Sequence, residues 1–168
     1  NAETAFNELI NTFPLMPEGY DWLAKIQYEL GQAAKAQETL IKAVFISPKA
    51  LARQRKLGQL AEENDDFETM CDAFRQAVKF GKHSAFSSPE EFIKLTKAIG
   101  MQLRGNSAVD RIKLINEAKS AFANLNEQFE FNPIGKFFRL KNQLILCVFT
   151  SIHIFKAEKQ QDRGCNGQ

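Results

Sequence analysis

Histidine, tryptophan and cysteine are scarce in these 168 residues, with two, one and three copies. Imidazole-based catalysis needs a nucleophile and an orienting acid beside the ring, and neither His83 nor His153 sits in a local pattern that supplies them, such as Gly-x-Ser-x-Gly. A non-enzymatic protein is expected. Cys71, Cys147 and Cys165 cannot all pair within one chain, and none has the close spacing of a metal site. No metal is expected, and a reducing, cytoplasmic setting is the simpler reading. Gly81-Lys82-His83-Ser84 lacks the further glycines and the preceding strand of a phosphate-cradling loop. It reads as a connector, so no cofactor is expected.

An excess of one charge is missing as well. Twenty-two Lys and Arg against 20 Asp and Glu leave a net charge of +2, which gives no electrostatic reason for nucleic acid or an anionic membrane as partner. Lys49, Arg53, Arg55 and Lys56 form a basic cluster, but aromatics are not interleaved and Glu62, Glu63, Asp65 and Asp66 follow at once. A mixed, solvated helix face accounts for it better than an RNA-binding patch, which stays as a minor alternative. No basic start runs into an apolar stretch, so no secretory leader is expected. The chain opens on Asn1 inside a patterned segment, as a piece with more sequence upstream would.

What is present is helical punctuation. Pro14, Pro17, Pro48, Pro89 and Pro133 separate amphipathic stretches, and no convincing strand alternation precedes residue 140. From Pro17 as position 1 of a 34-residue unit, Tyr20, Leu23, Ala24, Gln27, Gly31, Ala36, Leu40, Ala43 and Pro48 occupy positions 4, 7, 8, 11, 15, 20, 24, 27 and 32. The next unit places Gln54, Leu57, Gly58, Ala61, Asp65, Met70, Phe74, Ala77 and Lys82 at the same positions. Small residues at 8, 20 and 27 let paired helices approach, while larger ones at 4, 7, 11 and 24 fill between them. One period back, Ala2, Phe6, Leu9 and Pro14 fall at 20, 24, 27 and 32, the second helix of a preceding unit.

This pattern resembles the tetratricopeptide repeat. The resemblance implies an all-α array of helical hairpins, a right-handed α-solenoid, over residues 1–155. Its expected parts are a second helix at 1–14, repeats at 17–50 and 51–84, a degenerate, lengthened repeat at 89–132 and an apolar terminal helix at 134–155. A polar tail would occupy 156–168. Ile46-Ser47-Pro48, the run Arg53 to Ala61, Ala73 to Val78, Gly81 to Ser84 and Ser88-Pro89 look like the repeat region that follows the receiver domain of certain proteobacterial response regulators. That likeness implies the output part of a bacterial two-component signalling protein.

The family's ligand-facing positions are 2, 5, 9, 12 and 13 of each unit. Here they carry Glu18, Asp21, Lys25, Tyr28 and Glu29, then Ala52, Arg55, Gln59, Glu62 and Glu63, then Glu90, Ile93, Lys97, Gly100 and Met101. The resemblance therefore implies a concave groove of mixed charge that binds a peptide or helix of a protein partner, with Tyr28, Ile93 and Met101 as apolar anchors. Asp21 at position 5 departs from the members that clamp a terminal carboxylate. Leu144, Ile145, Val148, Phe149 and Ile152 lie in a stretch with almost no polar face, yet one shorter than the about 20 residues that span a bilayer. Such a helix must be buried. Packing under its own repeats is one reading and a homodimer contact is the other, with no membrane role.

Overall fold

The computed structural model describes residues 2–82, 84, 86, 88–103 and 108–129. Among them are seven helices and no strand: α1 Ala2–Thr12, α2 Pro17–Glu29, α3 Ala33–Ile46, α4 Leu51–Glu63, α5 Phe67–Gly81, α6 Pro89–Gln102 and α7 Ala108–Phe129. The expected terminal helix at 134–155 and the tail at 156–168 lie outside the described residues. So do Leu144, Ile145, Val148, Phe149 and Ile152.

The chain divides into two compact units, Asn1–Glu91 and Phe92–Gln168. In the first, α1 packs on α2, α2 on α3, α3 on α4 and α4 on α5. The core joins Ala24, Ala36, Leu40, Leu57, Leu60 and Ala73, with Ala33 and Val44 against it. The helix-packing positions of the 34-residue period are buried in both hairpins: Leu23 and Leu57 at position 7, Ala36 and Met70 at 20, Leu40 and Phe74 at 24, Ala43 and Ala77 at 27. Gly58, at position 8, is where the close approach is most severe. A Cβ there would meet the Phe74 ring at 2.5 Å.

Both hairpins turn by the same device. The N–H of Gly31 donates to the carbonyl of Tyr28 and that of Gln32 to Gln27, each at 2.9 Å. In the next hairpin Asp65 donates to Glu62 at 3.3 Å and Asp66 to Ala61 at 2.9 Å. This pair of bonds satisfies the last carbonyls of a helix and requires a left-handed residue at its end. That residue is Gly31 (φ 74°) in one hairpin and Asp65 (φ 56°) in the other, both at position 15. Asp66 then caps α5 by accepting the Thr69 N–H at 3.1 Å, while Gln37 donates to its other oxygen at 2.6 Å and Asn64 donates to Gln37 at 2.6 Å. Inside the first hairpin Thr39 donates to Gln27 at 2.7 Å, so two buried polar groups satisfy one another.

The second unit is described by itself. Phe92, Leu95, Ala98 and Ile99 of α6 are buried, as are Leu114, Ala118 and Ala121 of α7. No helix among the described residues is long and apolar enough to cross a membrane.

Candidate binding groove

Three- and four-residue connections, Leu30–Gln32 and Ser47–Ala50, make α3 antiparallel to both α2 and α4. The first helices α2 and α4 therefore run in the same direction. Contacts at both ends bear this out: near their starts Arg53 Nε donates to Asp21 Oδ2 at 2.8 Å, and near their ends the Tyr28 hydroxyl faces the Glu63 carboxylate. Between them lies a groove of about 420 Å³ with Leu40 of α3 in its floor.

Each wall is one helical stripe. Asp21, Ala24, Lys25 and Tyr28 stand at i, i+3, i+4 and i+7 on α2, and Lys56, Gln59, Leu60 and Glu63 repeat that spacing on α4. Ala24, Leu40 and Leu60 form an apolar base while the remaining six residues present polar or charged ends. Lys25 is spread between two partners, the Glu29 carboxylate at 3.9 Å and the face of the exposed Trp22, 5.3 Å from the ring centroid. Trp22 in turn stacks on Phe6. Hydrogen bonding toward Glu63, then the charge of that carboxylate, raises the pKa of the Tyr28 phenol above its ordinary value. Backbone hydrogen bonding at the start of α2, followed by Arg53, lowers that of Glu18.

Asp21, Lys25, Tyr28 and Gln59 are thus brought together on the groove. Arg55 is not. It turns to the carboxylate of Glu91, which is 2% exposed, and to the carbonyl of Phe86. Glu29 and Glu62 sit beside the groove on α2 and α4 without lining it. Ile93 and Met101, both half-buried, and the exposed Lys97 belong to α6 in the second unit.

Lys56 lines the groove although it stands at position 6, outside the ligand-facing set. The reason is geometric: two parallel helices show opposite flanks to the space between them, so α2 contributes positions 5, 8, 9 and 12 and α4 contributes 6, 9, 10 and 13. The signal lay in the i, i+3, i+4, i+7 stripe from Lys56 to Glu63. Among the described residues no group of His, Cys, Asp and Glu is arranged to hold a metal ion.

No protein-family model matches this chain, and no curated protein matches it in sequence. Solved structures match in fold. The crystal structure of YrrB, described as a TPR protein with an unusual peptide-binding site, aligns over 97% of this chain and 77% of its own, with a TM-score of 0.53 and 15% identity. Two crystal structures of MamA align over 94% and 95% of this chain and 89% and 84% of theirs, with TM-scores of 0.50 and 0.51 and 16% identity in both cases. Likeness at this level concerns the fold, which is an all-helical array of the tetratricopeptide type.

Proposed function

We propose that this chain is a non-enzymatic protein-interaction scaffold that holds a peptide segment of a partner in the groove between α2 and α4. The observation that carries the reading is the pair of facing stripes, which give an open apolar base bordered by polar groups. Pockets that orient a ligand by a few polar groups around an apolar floor have this composition. YrrB, similar in fold, is described as having a peptide-binding site. In this reading α2 to α5 are two consecutive hairpins of a right-handed solenoid, and α6 with α7 belongs to a third, lengthened one.

The test is a peptide display selection against the purified chain, repeated with Gln59→Trp, which fills the groove from an exposed position, and with Lys42→Ala on α3 away from it. Ligands lost with Gln59→Trp and kept with Lys42→Ala support the groove. Ligands kept by both variants sink it.

The runs that resemble receiver-linked response regulators support a place in the output part of a bacterial two-component signalling protein, in the cytoplasm. That placement rests on sequence resemblance alone. The alternative of a homodimer through Leu144, Ile145, Val148, Phe149 and Ile152 rests on their apolar composition, and light scattering of Ile145→Glu against the parent chain tests it. The RNA-binding reading is weaker than the sequence allows, because two of its four cations are committed: Arg53 to Glu18 and Asp21, and Arg55 to Glu91.

A further inference from the structure

The polar groups on the groove are ordered along it, and several have open valences. Lys56 makes no ion pair and Gln59 no hydrogen bond among the described residues, while Asp21 Oδ1 is shielded from water with no partner. Arg53 neutralises Asp21 through its other oxygen, so the near end of the groove is governed by Lys56, with Lys25 at mid-length. Glu63 governs the far end. A carboxylate has about four lone-pair sites, so the Tyr28 hydroxyl leaves Glu63 able to accept from a ligand.

The free amide of Gln59 distinguishes an extended ligand from a helical one. A bound helix has already satisfied its own backbone and would leave that amide unpaired; an extended segment offers N–H and C=O along its length. Lys56 and Glu63 are seven residues apart on α4, a rise of about 10 Å. In an extended peptide residues i, i+2 and i+4 share a face over about 13 Å, a difference that two long side chains absorb.

Resting on the groove reading above, we infer that the preferred ligand is an extended segment with an acidic side chain over Lys56, an aliphatic one on Ala24, Leu40 and Leu60, and a basic one over Glu63. Its pattern is Glu-x-Leu-x-Lys, in either chain direction. Complementary charge in an exposed groove selects register and partner more than it adds affinity.

Arrays of immobilised peptides carrying Glu-x-Leu-x-Lys, Glu-x-Leu-x-Glu or Lys-x-Leu-x-Lys, with x varied among Ser, Gly and Thr, are probed with the full chain. The mixed pattern is expected to exceed the other two by about three- to tenfold, as pairs of exposed charges gained or lost would give. Lys56→Glu should move the preference to Lys-x-Leu-x-Lys and Glu63→Lys to Glu-x-Leu-x-Glu. The double variant should return to the mixed pattern bound in the reverse chain direction, and circular dichroism of each variant checks that it is folded. In solution the single tryptophan gives a second readout, because a ligand seated on the groove moves Lys25, the cation over Trp22, and changes Trp22 emission. Equal signal from the three patterns, or a preference unmoved by both single variants, overturns the inference. If Gln59→Trp abolishes all signal while charge order has no effect, only the charge-ordered ligand falls; if Gln59→Trp leaves every signal in place, the groove itself falls.

Discussion

Two backbone positions carry opposite expectations because they sit at the same place in consecutive hairpins. Position 15 is left-handed in both, yet Gly31 holds it without a Cβ and Asp65 with one. For an L-residue that conformation costs about 1–2 kcal/mol, less for Asp than for most. Asp65→Gly should therefore raise stability by about 0.5–1 kcal/mol, and Gly31→Ala, which meets no atom within 4 Å, should lower it by about 1 kcal/mol. Urea midpoints of the two variants check both signs, and a shift in the same direction for both would contradict the account. Gly58 is a different case. Alanine normally improves a helix interior by about 1 kcal/mol, but here its Cβ would press at 2.5 Å on Phe74, which is 2% exposed. Overpacking of this kind costs about 1–3 kcal/mol, so Gly58→Ala should be net destabilising, and Phe74→Leu in the same chain should recover part of the loss.

Between elements, one pairing recurs with its charges exchanged. Asp21 at position 5 of one hairpin meets Arg53 at position 3 of the next, and Arg55 at position 5 meets Glu91 two residues into α6, the matching place. The first joins the start of α2 to the start of α4, and the second joins α4 to the start of α6. Glu91 also accepts the Ser88 N–H at 2.9 Å, closing the reciprocal cap of α6. Because that carboxylate is almost fully buried, removing its cation leaves an uncompensated charge, and Arg55→Met should cost about 2–3 kcal/mol; Arg55→Met with Glu91→Gln should cost less than the single change. Asp66 gives a pH-dependent counterpart. Burial pushes its carboxyl up, but hydrogen bonds from Thr69 and Gln37 together outweigh it, and the pKa lies below its ordinary 3.8. The stabilisation is then complete above about pH 5 and is lost as pH falls through the native value. Asp66→Ala should cost about 1 kcal/mol at neutral pH, and the gap to the parent chain should close in strong acid; a constant gap would assign the effect to packing. The helices were legible in the sequence because burial constrains residue size at fixed positions, as with Ala36, Ala43, Leu57 and Ala77. The ion pairs were not, since position fixes where two charges meet but leaves their order free, and Arg55 accordingly looked like a groove residue. On the groove itself the α2 wall was legible from repeat position. On α4 repeat position gave Gln59 and Glu63, but Lys56 and Leu60 needed the orientation of a second helix, which no single position encodes.

For the molecule as a whole, the decisive fact is that the core and the groove lie on one side of the division at Glu91. Ala24, Ala36, Leu40, Leu57, Leu60 and Ala73 pack together within the first unit, and all nine residues lining the groove belong to α2, α3 and α4. In a repeat array each hairpin is stabilised by its own contacts and those with its neighbours, so the loss of one unit weakens the rest without dissolving it. A fragment of residues 1–91 keeps the Arg55–Glu91 pair, both left-handed turns and the complete groove. It should remain helical by circular dichroism, because α1 to α5 and the core they share are kept whole. Its peptide preferences should match those of the full chain to within about threefold, since no lining residue has been removed. Retained helicity with lost binding would contradict the assignment of the ligand site to α2, α3 and α4.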